Sequence, residues 1–163
     1  PILRRAVGSD PRRIIPPGRA MHLLDTPKRF LLIAETLYRW GGILSGLDRK
    51  RREKVVRYAE AIAETLARAG RYAVRLAAKP GDKAAERGLA RELGRIAGYL
   101  ETLVEVLKHH LDGRKLAGVK RRLEQLGSRQ AGREPAAKAA KVRIDRLLAA
   151  EGYFRALADS LRV

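Results

Sequence analysis

Cysteine is absent from this chain of 163 residues, which excludes disulfides and thiolate metal sites. Aromatic residues make up only 5% of it, and alternating runs of Val, Ile, Thr and Tyr are missing, which argues against a β-sheet fold. No apolar run approaches the ~18 residues of a transmembrane helix, and no signal-peptide core is found at the N-terminus. Phosphate-binding loops, zinc-finger spacings and serine-nucleophile motifs are missing too. We therefore expect no enzyme, cofactor, metal site or small-molecule substrate.

Positive charge dominates what is present. The chain has 36 Lys and Arg residues against 18 Asp and Glu residues, a net charge of +18. A small domain needs a net charge of magnitude only about 2–8 for solubility. A larger net charge destabilises the compact state, because the like charges repel one another. Arg accounts for 26 of the basic residues, and its planar fork binds phosphate at two points. A GC-rich genome would also enrich Arg, but it would not explain the excess of positive charge. The composition predicts a nucleic-acid backbone as partner, with an anionic membrane surface as the less favoured alternative.

The fold expected from the sequence is all-α, an antiparallel bundle of four to five helices with an extended basic N-terminal arm. Residues 1–26 are rich in proline and arginine and form the arm, and residues 27–163 form the bundle. Thr26-Pro27 is a helix-start signal, and Asp48 and Asp82 are expected N-caps. The predicted helices span 27–40, 48–78, 83–111, 114–126 and 136–162.

Apolar residues at helical spacing predict the core. The clearest stripe lies in the third predicted helix, and the last helix carries a second set that includes Leu148. Gly94 and Gly98 share one face of the third helix. We interpret them as sites of tight packing within the bundle, with close approach of a subunit or a nucleic-acid backbone as the alternative. The stripe of the third helix comprises Leu89, Leu93, Ile96, Leu100, Leu103, Leu107 and Leu111.

The positive excess is unevenly distributed. Residues 48–57 contain six basic and two acidic residues, and 112–135 contain seven and three, whereas 83–111 are near balance with five and four. The alternative to phosphate contact is a solvated helix face, in which Glu53 pairs with Arg49 or Arg57. We expect recognition of the backbone rather than of bases. The predicted nucleic-acid-binding residues are Arg4, Arg5, Arg12, Arg13, Arg19, Arg49, Lys50, Arg51, Arg52, Lys54, Arg57, Arg114, Lys115, Lys120, Arg121, Arg122 and Arg129.

Histidines and aromatics add little chemistry. His109 and His110 are adjacent, so they point to different faces of a helix and cannot share a metal ion. Of the few aromatic residues, Tyr58 beside Arg57 is the best candidate for stacking on a base. The other aromatics mostly lie at core spacing.

The arm arginines Arg4 to Arg19 and the cluster Lys50 to Arg57, joined to a compact helical body, resemble the major capsid proteins of filamentous archaeal viruses. The resemblance implies a virion protein, assembled in the host cytoplasm, that wraps double-stranded DNA and associates with itself or with a related subunit. The lack of Cys with abundant Ala, Leu, Arg and Glu would suit a hyperthermophile. A small helical subunit of a CRISPR effector complex, or an accessory protein of a retroelement or ribosome, in the cytoplasm, is the alternative.

Overall fold

The computed structural model describes residues 17–111, 113–124 and 136–162, without the side chains of 17–25 and 136–139. Its regular structure is entirely helical, with no strand in these ranges, which confirms the all-α prediction. The described residues form six helices, one more than the upper end of the predicted count. They are α1 (Pro17–Arg39), α2 (Gly41–Leu44), α3 (Arg49–Ala78), α4 (Lys83–Leu107), α5 (Gly113–Glu124) and α6 (Ala136–Leu161).

The start of α1 differs from the sequence prediction. The helix begins at Pro17 rather than at Thr26-Pro27, so residues 17–25 of the predicted arm are helical. Proline is well tolerated in the first turn, where its missing N–H would be unpaired anyway. Pro27 instead lies inside the helix, at a local cost of about 3 kcal/mol for the lost hydrogen bond and the ring clash. Residues 1–16 lie outside the described residues.

Both predicted N-caps are confirmed. The Asp48 carboxylate accepts a hydrogen bond from the backbone N–H of Arg51 at the start of α3. The Asp82 carboxylate accepts one from the backbone N–H of Ala85 at 3.0 Å, at the start of α4. A capping carboxylate supplies an acceptor for one of the N–H groups left unpaired in the first turn. These caps explain why α3 and α4 begin where the sequence predicts.

We expect an Asp82→Ala substitution to lower the melting temperature at neutral pH but not in strong acid. The backbone hydrogen bond from Ala85, followed by the Arg75 side chain, holds the pKa of Asp82 below its usual 3.8. A carboxyl whose folded pKa is lowered stabilises the fold above its unfolded pKa, and this contribution is lost as the pH falls through the folded value. Thermal denaturation followed by circular dichroism measures the difference between variant and wild type.

The matched control is Asp145→Ala, because Asp145 is exposed on α6 and forms no ion pair with the described residues. This substitution should leave the melting temperature nearly unchanged at both pH values. Equal losses in the two variants, or a loss at position 82 that persists in strong acid, would contradict the capping role.

Helix α3 packs against both α6 and α4. Arg68 contacts Glu92 at 3.1 Å and Arg75 contacts Asp82 at 3.0 Å. Residue numbers therefore rise along α3 as they fall along α4, so the two helices are antiparallel. This pairing decides which charged side chains of the two helices meet.

The remaining contacts join α1, α5 and α6. The Tyr38 ring of α1 lies 5.5 Å from the Tyr153 ring of α6, measured between centroids. α5 contacts both α4 and α1, and its Arg122 donates a hydrogen bond to Thr36 Oγ1 at 2.7 Å. Arg122 is thus held by a neighbouring helix, although the sequence predicts it as a phosphate contact.

The core follows the predicted stripes at most positions. The seven apolar residues of the α4 stripe, including Leu111 just beyond the helix end, are all buried. On α6, Phe154, Leu157 and Leu161 are buried, but Leu148 is 54% exposed, so its assignment to the core is wrong. Residue 148 lies about 100° around the helix from the buried Leu147, and this rotation places its side chain outside the buried face of α6. Within the described residues, no helix has the length and apolarity needed to cross a membrane.

The glycines of α4 fall into two groups. A methyl group added at Gly88 would lie 2.5 Å from ring carbons of Tyr72, so a larger residue there would have to displace the Tyr72 ring. Gly94 and Gly98 are exposed, and an added methyl group would meet no described atom within 4 Å. Our interpretation of Gly94 and Gly98 as tight packing sites is therefore wrong. They leave the outer face of α4 without side chains at two successive turns.

Candidate nucleic-acid interface

The predicted cluster at the start of α3 divides into paired and unpaired side chains. Arg49 contacts Glu53 at 2.9 Å, as the solvated-face alternative expects, and Arg51 contacts the cap Asp48 at 2.7 Å. Arg52 donates a hydrogen bond to the Ser45 carbonyl oxygen at 3.2 Å. The other three members, which are exposed and form no ion pair with a described residue, are Lys50, Lys54 and Arg57.

These three unpaired residues begin a longer row along α3. Positions 50, 54, 57, 61, 64, 68, 71 and 75 repeat at intervals of three and four and so share one face of the helix. Six of the eight positions are basic, and Ala61 and Glu64 are the interruptions. At 1.5 Å per residue the row spans about 38 Å. We call it the cationic ridge, and its basic members are Lys50, Lys54, Arg57, Arg68, Arg71 and Arg75.

The second predicted cluster, on α5, is mixed in charge. Lys115 and Arg121 are exposed, as is Arg114, whereas Arg122 is half-buried against α1. Lys120 lines a groove between α4 and α5 together with Glu101, Glu105 and Glu124. Lys108 and, to a smaller degree, Lys120 hold the pKa of Glu105 below its usual range. The carboxylates around Lys120 make this surface a poorer phosphate site than the ridge.

The predicted arm arginines have no described side chains, so the structure does not relate them to either cluster. Arg19 lies on α1, but its side chain is not described. The other predicted residues that lie outside the described residues are Arg4, Arg5, Arg12, Arg13 and Arg129. Their role in binding stays a prediction.

The first half of α4 is basic, a feature that is not predicted above from the sequence. Arg87, Arg91 and Arg95 recur every fourth residue and are all exposed on the first half of the helix, next to the ridge on α3. The acidic residues Glu101 and Glu105 lie on the second half, by the α5 groove. Counting charge over the whole helix hides this separation. The i, i+4, i+8 spacing of the arginines is the signal that would have found it.

Two tyrosines of α3, Tyr58 and Tyr72, make ring contacts near the basic residues of this surface. The Arg75 guanidinium carbon stands 5.8 Å from the centroid of the Tyr72 ring, within the range of a cation–π contact. The Tyr58 ring packs against Tyr99, with centroids 6.2 Å apart, and is half-buried. Tyr58 is therefore engaged in the helix interface, and it is a weaker stacking platform than the sequence predicts.

His109 and His110 are exposed, and no group of three or more His, Asp or Glu side chains within the described ranges could hold a metal ion.

Comparison of the chain with models of protein families, with curated proteins and with solved structures gives no match.

Proposed function

We propose that the protein is a non-enzymatic structural protein that binds a nucleic-acid backbone, with double-stranded DNA as the favoured ligand. The observation that carries this proposal is the cationic ridge. Four of its six basic residues, Lys50, Lys54, Arg57 and Arg71, form no ion pair with a described residue. Unpaired charges in a row repel one another, and phosphates bound along the row would relieve the repulsion.

The length of the ridge favours a polymer over a small anion. Its span of about 38 Å along one helix is close to the ~34–36 Å of one duplex turn. A rigid helix presenting charges at fixed intervals suits phosphates spaced along a backbone. The row has no Asn or Gln to read adenine, and side chains spread along the length of one helix suit contacts to successive phosphates, so we expect binding to depend mainly on the backbone.

We propose further that the helices form an antiparallel bundle whose subunits pack side by side as a coat around the duplex, with the basic arm contributing contacts. Exposed apolar side chains on α1, α2 and α6 support self-association, since Leu32 is 36%, Ile43 41% and Leu148 54% exposed. Electron microscopy of the assembly with DNA tests this form. Regular filaments support the coat. Discrete particles with a single RNA would support a ribonucleoprotein subunit instead.

Replacing the three unpaired residues at the start of α3 should weaken duplex binding. We expect the triple variant Lys50→Gln, Lys54→Gln, Arg57→Gln to bind a short mixed-sequence DNA duplex roughly tenfold or more weakly at moderate salt, because three phosphate contacts are lost. Fluorescence anisotropy with a labelled duplex gives the dissociation constant. The side chains are exposed, so the melting temperature should change little.

A charge-matched control separates local contact from net charge. The variant Lys141→Gln, Arg155→Gln, Arg146→Gln also removes three positive charges, but all three lie on α6. It should bind more tightly than the ridge variant. Equal affinity in the two variants would mean that binding follows total charge alone, and no binding by the wild type would refute the proposed function.

A further inference from the structure

One buried carboxylate lies among three arginines at the α3–α4 interface. Glu92 is only 4% exposed. Its carboxylate oxygens lie 3.1 Å from Arg68 Nε, 3.8 Å from Arg95 Nη1 and 3.9 Å from Arg91 Nε. A single negative charge therefore faces three positive ones. We call Arg68, Arg91 and Arg95 the arginine triad.

The triad contains more positive charge than the fold requires. A buried carboxylate needs charge compensation, and one well-placed guanidinium would supply it. Two additional guanidinium groups within 4 Å of the same carboxylate leave a net charge of about +2 in a small volume. Their mutual repulsion opposes folding, and an additional anion at this position would offset it. Compensation of Glu92 alone thus explains one of the three arginines.

Each arginine of the triad is also held by a second polar group. Arg68 Nη2 donates a hydrogen bond to Thr65 Oγ1 at 3.0 Å. Arg91 Nη2 donates to the Tyr72 hydroxyl at 3.5 Å, and Arg95 Nη2 donates to the Tyr99 hydroxyl at 3.3 Å. Fixing a flexible side chain before binding lowers the entropic cost of binding. The guanidinium groups are thus oriented in the absence of a ligand.

The triad remains accessible from outside. The side chains of Arg68, Arg91 and Arg95 are 35%, 67% and 49% exposed. Gly94 and Gly98, at the next turns of the outer face of α4, add no side chain that would block a large ligand. The Tyr72 ring lies against Gly88 of α4, where the lack of a side chain leaves room for it.

We infer that the arginine triad is a phosphate-binding site for the nucleic-acid backbone, with Glu92 as its positioning residue. This inference rests on the proposed function. It places the main phosphate site outside the two basic clusters predicted from the sequence. Arg68 belongs to the cationic ridge, so the triad continues the same row of charges onto α4. Among the described residues, no large apolar side chain of α4 is 36% exposed or more, and α3 has only Val74. The others of this exposure lie on α1, α2 and α6. A surface without exposed apolar side chains favours a polyanion over a lipid membrane as the ligand of the triad.

The first test removes two arginines of the triad that are not on the ridge. The variant Arg91→Gln, Arg95→Gln should bind a short DNA duplex roughly tenfold or more weakly at moderate salt. Its plot of log affinity against log salt should be shallower by about 1.8, which corresponds to two lost phosphate contacts. The matched control Lys141→Gln, Arg155→Gln removes two charges from α6 and should leave the slope nearly unchanged.

The second test separates positioning from charge. Glu92→Gln raises the net charge by one, so electrostatics alone predicts tighter binding to DNA. If Glu92 positions the triad, the variant binds more weakly despite its higher charge. Circular dichroism checks that it is folded. If the Glu92→Gln variant does not fold, the NMR spectrum of the wild type provides a second measurement. The Nε–H signals of the three arginines should then shift when duplex is added.

The outcomes distinguish the inference from the proposed function. If the wild type binds DNA but the double variant matches its control, or if the arginine signals do not move, the triad is structural and the inference is wrong while the function stands. If the wild type binds no nucleic acid, the proposed function itself fails. Binding that occurs only to vesicles of anionic lipid would overturn both.

Discussion

Raising the salt concentration from about 50 to 200 mM should weaken binding of the protein to duplex DNA by about a thousandfold or more. The four unpaired residues of the cationic ridge and the three arginines of the triad make seven candidate phosphate contacts. Each contact releases condensed counterions from the duplex, and salt opposes this release. Seven contacts predict a slope of about −6 in the plot of log affinity against log salt.

Fluorescence anisotropy titrations with one duplex at several salt concentrations measure this slope. A second duplex of unrelated sequence and equal length is the control, and it should give nearly the same affinities, because backbone contacts carry no sequence information. An affinity that hardly changes over this range of salt would exclude phosphate neutralisation as the basis of binding. A large difference between the two duplexes would point to readout of bases.

Truncating Phe154 to Ala should cost about 3–5 kcal/mol of the free energy of unfolding. Phe154 is fully buried on α6, in the core cluster that also contains Phe30 of α1 and Leu66 of α3. Removing the ring leaves a cavity among helices that cannot collapse fully, so both transfer energy and packing are lost. Urea denaturation followed by circular dichroism measures the change, and the melting temperature should fall by roughly 10 °C.

The control on the same helix is Leu148→Ala. Leu148 is 54% exposed, and its truncation should change the free energy of unfolding by about 0.5 kcal/mol or less. The pair also tests the packing direction of α6. If the two variants lost similar stability, the face of α6 that packs on α1 and α3 would differ from the one described.

The features that the sequence predicts correctly are local ones. The leucine stripe of α4 is readable because burial on one helix face repeats every three to four residues. The caps Asp48 and Asp82 are readable because a capping side chain bonds a backbone group only three residues away. Five of the six helices of the described ranges are accordingly predicted, although α1 begins earlier.

The features that the sequence does not reveal depend on how helices meet. Glu92 reads as one of several carboxylates with basic neighbours, and only the antiparallel register of α3 and α4 brings Arg68 to it. Arg29 is 9% exposed, and burial lowers the pKa of Arg143, whose Nε has no hydrogen-bond partner among the described residues. Their burial comes from tertiary packing, which charge counts along the chain cannot report.

The separation of charge along α4 has a consequence for how the molecule approaches a charged partner. Its arginines occupy the N-terminal half, and Glu101 and Glu105 occupy the C-terminal half, so the side-chain dipole points in the same direction as the helix macrodipole. The field near any polyanion decays with distance, and it exerts a torque on such a dipole as well as a pull on the net charge. The contribution of α4 to this torque favours an approach with its arginine-bearing end toward the polyanion. Exchanging the acidic and basic halves of α4 at equal net charge would reverse this contribution.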